Sequence, residues 1–198
     1  MINVSSEQIL NKIAQIYSPI SPACRKDLVY HLQYSKKQKG ETVVHEGQYS
    51  EKAYLVIEGC SRAYYLKDGK DISDWFAFEN EFMASIVSFF TEAPSPHYIE
   101  FIEDSYVVEF SKTTIERLCV QHHDFERLIS KVVTNTMLGL RARLSSILFN
   151  TAEERYNQLL AIRPDITNRV PLKHIASYLG ITLETLSRIR KPKRLNLI

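Results

Sequence analysis

The stretch PLKHIASYLGITLETLSRIRK, residues 171 to 191, carries the densest chemistry in the sequence. Leu172, Ile175, Ala176 and Leu179 fall on one face of a helix, and Gly180 can take the left-handed conformation that ends it. Thr182 stands where an N-cap is needed for a second helix, whose inward face is Leu186 and Ile189. Small Ala176 permits a close crossing of the two helices and Ile181 can plug the turn, which is the spacing of a helix-turn-helix. The outward face of the second helix offers Glu184, Thr185, Ser187 and Arg188, with Arg190, Lys191, Lys193 and Arg194 directly beyond. Arginine can make paired hydrogen bonds to guanine O6 and N7, glutamate can accept from cytosine N4, and hydroxyls and lysines such as Lys173 can hold phosphates. Double-stranded DNA is therefore the expected partner of this segment. The competing reading is a plain helical hairpin with a charged outer face.

Charge supports the first reading. The formal net charge is only +2, but residues 163 to 198 hold eight Lys and Arg residues against Asp165 and Glu184, which leaves the first 162 residues at −4. A basic end on an acidic body suits phosphate binding by one end of the molecule, because each neutralised phosphate releases counterions.

Other chemistries find little support. Cys24, Cys60 and Cys119 are too far apart for a Cys-x-x-Cys site and are expected to be small buried residues without metal. An enzyme on a small β-barrel, such as a cupin-type metal oxygenase, needs a His-x-His pair with a following Glu and a later His, a spacing that His45, His97, His122 and His123 do not supply. No Ser-His-Asp or paired-carboxylate motif is visible, so no catalytic residue and no enzyme activity are expected. That enzyme, or a ligand-binding module that does not bind DNA, is the alternative reading. The start MINVSSEQIL lacks a basic and then apolar leader, and no apolar run approaches the roughly 20 residues of a membrane span. The expected location is the cytoplasm, with no membrane partner.

The elements that must position the C-terminal pair can be read in outline. SEQILNKIAQIY from Ser6 and a segment opened by Ser21-Pro22 predict two short helices. From about Lys39 to Phe110 the pattern changes to short strands, with Ala53, Leu55 and Ile57 alternating against Tyr54 and Val56. Asp68-Gly69 marks a hairpin, Glu103-Asp104 predicts a second, and residues 84 to 96 predict a short helix and a Pro-bounded loop. Strands at this spacing predict a small antiparallel barrel or sandwich. SKTTIERLCVQH is a capped helix, after which Asp124 is expected to cap a long one. From Phe125 to Leu148 that helix is apolar on more than one side, so one side can cover the barrel and another can meet the same helix of a second copy. A further helix begins after Thr151, with Glu153 and Glu154 in its first turn, and stops before Pro164.

With its order of parts, the ETVVHEGQ and YLVIEGCSR strands, the long helix and GITLETLSRIRK, the sequence resembles the Crp/Fnr family of transcription regulators over nearly its whole length. The resemblance implies an α+β fold: a cyclic-nucleotide-binding-like jelly-roll sensor over 1–123, a long dimerisation helix over 124–150, and a winged-helix-like helix-turn-helix over 151–198. It implies that Glu184 and Arg188 read bases, that Thr182 and Thr185 contact phosphates, that the protein is a homodimer, and that RNA polymerase is a further partner. Leu183 stands where many relatives carry Arg, and the sequence ends at LNLI where the family's β-hairpin wing follows, so a truncated wing is expected.

Members that bind cyclic AMP carry a Gly-Glu pair and an Arg-Ser pair in the barrel. Those places are read here as Asn80-Glu81 and Ser95-Pro96, and residues 136 to 140 lack the hydroxyl pair that touches the base. A buried phosphate without a cation would be badly solvated, so cyclic AMP is not the expected ligand and no cofactor is expected. An iron-sulfur cluster needs four cysteines, and haem would need an axial ligand such as His45 or His97. Glu81, Ser95, Trp75, Phe82 and Tyr98 are the candidate lining for another small effector, although such aromatics are more often core.

Overall fold

The computed structural model describes residues 4–191. Helix α1 (Ser6–Ile16) is closed by a capping box between Ser5 and Gln8, and α2 (Pro22–His31) by the Ser21 hydroxyl with Pro22 at its first position. Eight strands follow: β1 (Gln33–Lys37), β2 (Thr42–Val44), β3 (Lys52–Glu58), β4 (Ser61–Lys67), β5 (Lys70–Ala77), β6 (Phe82–Ala84), β7 (Tyr98–Phe101) and β8 (Ser105–Ser111). They form two antiparallel four-stranded sheets, ordered β1-β8-β3-β6 and β2-β7-β4-β5, a jelly-roll with the short helix α3 (Ile86–Thr91) between β6 and β7. The chain then turns helical through α4 (Lys112–Gln121), α5 (His123–Phe149), α6 (Ala152–Ile162), α7 (Ile166–Arg169), α8 (Leu172–Tyr178) and α9 (Leu183–Arg190).

The alternation read along β3 has a fuller meaning than one wet and one dry face, because Ala53, Tyr54, Leu55 and Val56 are all buried. Ala53 and Leu55 join Val108 and Phe110 in a core covered by α1, α2, α4 and the start of α5. Tyr54 and Val56 point the other way, into a barrel interior that includes Ile99, Phe101 and Val107. A third core joins Cys60, Phe76, Phe78 and Ile102 of the barrel to Ile166, Ile175, Ala176 and Leu186 of the C-terminal helices. The jelly-roll and the helix-turn-helix thus share one buried apolar layer.

Three local expectations are corrected. The strands begin at Gln33, six residues before the expected start at Lys39; β1 (QYSKK) is a polar strand held by its pairing with β8. Asp68-Gly69 does join β4 to β5, but Glu103-Asp104 is no hairpin, since β7 pairs with β2 and β4 whereas β8 pairs with β1 and β3. The connection crosses between sheets, held by Asp104 Oδ1 accepting from the Lys39 N–H at 2.9 Å and by the Ile102 N–H donating to Cys60 O. Asp124 does not cap α5, which starts after His122; its carboxylate instead accepts from the backbone N–H groups of Ser21 and Phe125, bracing α2 against α5. The truncated wing expected after the helix-turn-helix falls at 192–198, outside the described residues.

Among the described residues no helix is long and apolar enough to cross a membrane. The three cysteines are free thiols, and Cys24 and Cys60 are buried as expected.

Candidate functional site

The C-terminal helix pair is built from local signals. Gly180 has φ +66°, the Ile181 N–H reaches back to Ala176 O at 3.0 Å, and the Gly180 N–H donates to Ser177 O, which closes α8 with a tight left-handed turn. The Thr182 hydroxyl accepts from the Thr185 N–H at 3.2 Å and opens α9. Ile175, Ala176, Leu179 and Leu186 are buried between the helices and the barrel. Apart from Leu183, what lies exposed around α9 is polar: Thr182, Glu184, Ser187 and Arg188 are exposed, Thr185 is half-buried, and Arg190, Lys191 and, on α8, Lys173 are exposed. Among the described residues, Arg188, Arg190, Lys191 and Lys173 make no ion pair within 4 Å. Their charge faces solvent, along with a Glu184 carboxyl held below its usual range by its own backbone N–H, the Thr182 hydroxyl and the charge of Arg188.

The opposite side of this unit is tied to the barrel. Arg169, at the end of α7, donates to Glu79 at 2.6 Å, Glu103 at 2.7 Å and the Gly59 carbonyl at 3.0 Å, while Asp165 lies 3.3 Å away. The Ser177 hydroxyl bridges the Asp71 carbonyl and the Ser73 N–H of β5, both at 2.9 Å. Arg143 of α5 donates to Asp74 at 3.1 Å and to the carbonyls of Ser73 and Tyr178, both at 3.3 Å, so it touches barrel and α8 at once. Arg163 pairs with Glu81 and lies over the Phe78 ring. His174 is buried beside Asp71, and burial together with the nearby Arg62 guanidinium pushes its imidazole down to about 4, so it is neutral.

Residues 35–122 match the model of the cyclic nucleotide-binding domain family. Among solved structures, the chain is similar to FixK2 from Bradyrhizobium japonicum, with 21% identity, TM-score 0.66 and coverage of 80% of this chain and 82% of that one. It is also similar to a CooA variant from Carboxydothermus hydrogenoformans, with 16% identity, TM-score 0.66 and coverage of 96% and 84%. A further likeness is to the global regulator CLP of Xanthomonas campestris, described as responsive to c-di-GMP, with 14% identity, TM-score 0.65 and coverage of 85% and 89%. This chain has the Crp/Fnr fold. A curated relative, the lysophospholipase NTE1 of Phaeosphaeria nodorum, is 22% identical over 168 residues, which are 85% of this chain but 11% of that protein's length.

Within the Crp/Fnr fold, the residues expected to line an effector site separate into two places. Trp75, Glu81 and Phe82 border adjoining hollows between the barrel, α1, α5 and α6. Ser95 and Tyr98 lie elsewhere: Tyr98 stacks on Tyr64 with centroids 5.1 Å apart, and the buried Ser95 hydroxyl donates to His97 O at 2.7 Å. The residue that faces Ser95 is Ser85, whose hydroxyl donates to it at 2.8 Å. Asn80-Glu81, read from sequence as the Gly-Glu place, forms the turn before β6, and Glu81 pairs there with Arg163. The polar pair at this spot is thus two hydroxyls. The barrel's buried guanidinium, Arg62, is itself held between Asp71 at 2.6 Å and Glu100 at 2.5 Å.

Cys24 is less solitary than its sequence position suggests. Its sulfur, a His122 nitrogen and an Asp124 oxygen lie within 4.8 Å of one another, and His122 Nε2 lies 2.9 Å from Asp27. Burial and then the Asp124 and Asp27 charges push the Cys24 thiol up to about 12, so it is protonated there and Asp124 serves the backbone of Ser21 and Phe125. His97, by contrast, is buried with neither ring nitrogen hydrogen-bonded among the described residues, and burial lowers its pKa. Sequence reading missed Arg143, Arg163 and Arg169, whose carboxylate partners on the barrel lie 66 to 90 residues away in the chain. The one signal available was an unusual Gly139 inside the long helix, where a Cβ would come within 2.9 Å of the Trp75 ring.

Proposed function

We infer that the protein is a sequence-specific DNA-binding transcription regulator of the Crp/Fnr type, acting as a homodimer. One observation carries this reading: α9 buries Leu186 and turns Glu184, Ser187 and Arg188 to solvent, where Arg188, Arg190 and Lys191 make no ion pair within 4 Å among the described residues. A helix entering a major groove needs base-reading groups on a face its own fold does not use. Glu184 and Arg188 would read base edges, and Thr182, Thr185, Ser187, Lys191 and Lys173 would hold register or phosphates. In this reading residues 1–123 are the sensor, 124–150 the dimerisation helix and 151–198 the DNA-binding part, and RNA polymerase is a further partner.

The long helix supports the dimer. Its first turns bury Phe125 and Leu128 against the barrel, but Val133, Met137, Leu140, Leu144 and Ile147 are 37% to 60% exposed. Their spacing alternates four and three residues, the 3.5-residue repeat with which two parallel helices bury a shared seam. Two copies joined along α5 would present two α9 helices to successive major grooves. Cyclic AMP is not the ligand in this reading, because Ser95-Pro96, read as the Arg-Ser place, brings no cation for its phosphate, and the Ser95 hydroxyl is engaged by Ser85 and the His97 carbonyl.

Selection of genomic DNA fragments with the purified full chain tests the function. A single enriched motif with two-fold symmetry is expected; enrichment without any sequence bias would reduce the protein to a nonspecific basic surface.

A further inference from the structure

We propose that the cavity where barrel, α5 and α6–α8 meet is a binding site for a small monoanionic carboxylate with an apolar body. As an effector site this rests on the regulator reading above; as a ligand site it rests on the cavity alone.

The cavity holds about 280 Å³, and its walls include Trp75, Phe78, Ile147, Leu159 and Tyr178. Set into these apolar walls are three guanidinium groups, Arg143, Arg155 and Arg163, and a single carboxylate, Glu81. The charges do not balance. Arg163 is paired with Glu81 and Arg143 with Asp74, whereas Arg155 donates from Nη1 to the Asn150 carbonyl at 2.8 Å and has no carboxylate within ion-pair reach among the described residues. One positive charge is left in a partly enclosed, mostly apolar setting, where an anion is stabilised more than in water.

Hydrogen bonding points the same way. The Nε–H groups of Arg143 and Arg155 are buried and have no acceptor among the described residues, although buried donors of this kind are almost always satisfied. Both residues line this cavity. A carboxylate has two acceptor oxygens and so can serve two separate guanidinium donors with one negative charge. A dianionic phosphate fits less well, since only one surplus cation is present and Glu81 shares the wall. The apolar residues supply the remaining area, as in small-molecule sites generally.

Position gives the site a use. Arg143 belongs to the long helix and touches Tyr178 at the end of α8, and Thr182, the cap of α9, follows four residues later. A ligand that satisfies Arg143 and Arg155 would therefore touch barrel, long helix and helix-turn-helix at once, and would shift their balance by as much as it prefers one arrangement.

Trp75 is the sole tryptophan and lines the cavity, so its emission is a direct reporter. The purified chain is titrated with octanoate and phenylacetate, and with octanamide and phenylacetamide as neutral controls. A saturable change in Trp75 emission is expected with at least one acid, at least tenfold weaker with its amide, and at least tenfold weaker in Arg155→Gln at unchanged Tm. Gly139→Ala, whose added Cβ meets the Trp75 ring, is expected to weaken the acid as well and serves if Arg155→Gln does not fold. No saturable response to either acid, equal response to acid and amide, or full affinity in both variants overturns the proposal. Binding of the selected DNA is measured on the same samples. Acid binding without sequence-specific DNA binding sinks the regulator reading and keeps the site, and the converse sinks the site alone.

Discussion

The basic residues of the C-terminal third fall into two regions with opposite fates. On the side facing the barrel, Arg163, Arg169 and, from the long helix, Arg143 are each paired with a barrel carboxylate. On the outer face of α9, Arg188, Arg190 and Lys191 are exposed and make no ion pair with a described residue. The first set holds two parts of the molecule together, so its charge is neutralised within the chain. The second set contributes nothing comparable to folding, which leaves it available for an external polyanion. Residue type alone does not separate the two sets; the partner does.

Removing the seam's main cation should have the largest effect. Arg169→Met leaves Glu79 and Glu103 facing each other without a cation and is expected to cost about 3 kcal/mol in urea unfolding, near the lower end for broken ion pairs because Arg169 is about one-fifth exposed. Arg188→Ala should change the same stability by less than about 0.5 kcal/mol. Equal losses in the two variants would erase the distinction drawn between the regions.

Acid is the next lever, and it acts on the seam. His174 stays neutral in the fold down to about 4, while in the unfolded chain it gains a proton near 6.5. The unfolded state therefore binds more protons between those values, and stability falls as pH drops from about 6.5 to about 4, by roughly 2 kcal/mol. His97, lowered by burial, acts in the same direction. Glu109, held down to about 2 by Lys52, Ser35 and Lys37 despite its burial, adds a separate loss only below about 4.5. His174→Gln should flatten the upper part of the profile in chemical denaturation series at stepped pH; an unchanged slope between 6.5 and 4 would exclude His174 as its cause.

A smaller effect is expected on the other side. Thr182→Ala removes the cap of α9 and should cost about 1 kcal/mol, seen as faster amide exchange in residues 183–186 while β3 and β8 keep their protection. Uniform loss of protection across the barrel would mean that α9 is part of the same cooperative unit as the seam.

What was legible in the sequence follows the reach of the interactions. The α8–α9 pair, its Gly180 turn and Thr182 cap, the Asp68-Gly69 hairpin and the Ser111 cap of α4 all depend on residues three to five apart, and a linear reading finds them. The jelly-roll was legible as a class through its strand spacing. Its pairings were not: β1 is polar and exists through β8, some 70 residues on, and the step from β7 to β8 has the appearance of a hairpin because the change of sheet leaves no local mark. Asp124 looked like a cap because the residue type suits one, but its carboxylate is engaged by Ser21, 103 residues away. The candidate effector residues divide for the same reason, since which serine faces Ser95 is fixed by the fold of the β6–β7 loop. Arg143 and Arg155 carried no motif, and only the cavity they share distinguishes them from other helical arginines.

The central claim is that the outer face of α9 reads DNA sequence. Its most direct test compares wild type and Arg188→Ala on the selected duplex and on a scrambled duplex at one fixed salt concentration. The account predicts a loss of about 1 to 3 kcal/mol on the selected duplex, relaxed preference at one base pair in each half-site, and little change on the scrambled one. Equal losses on both duplexes, or none on either, would contradict it.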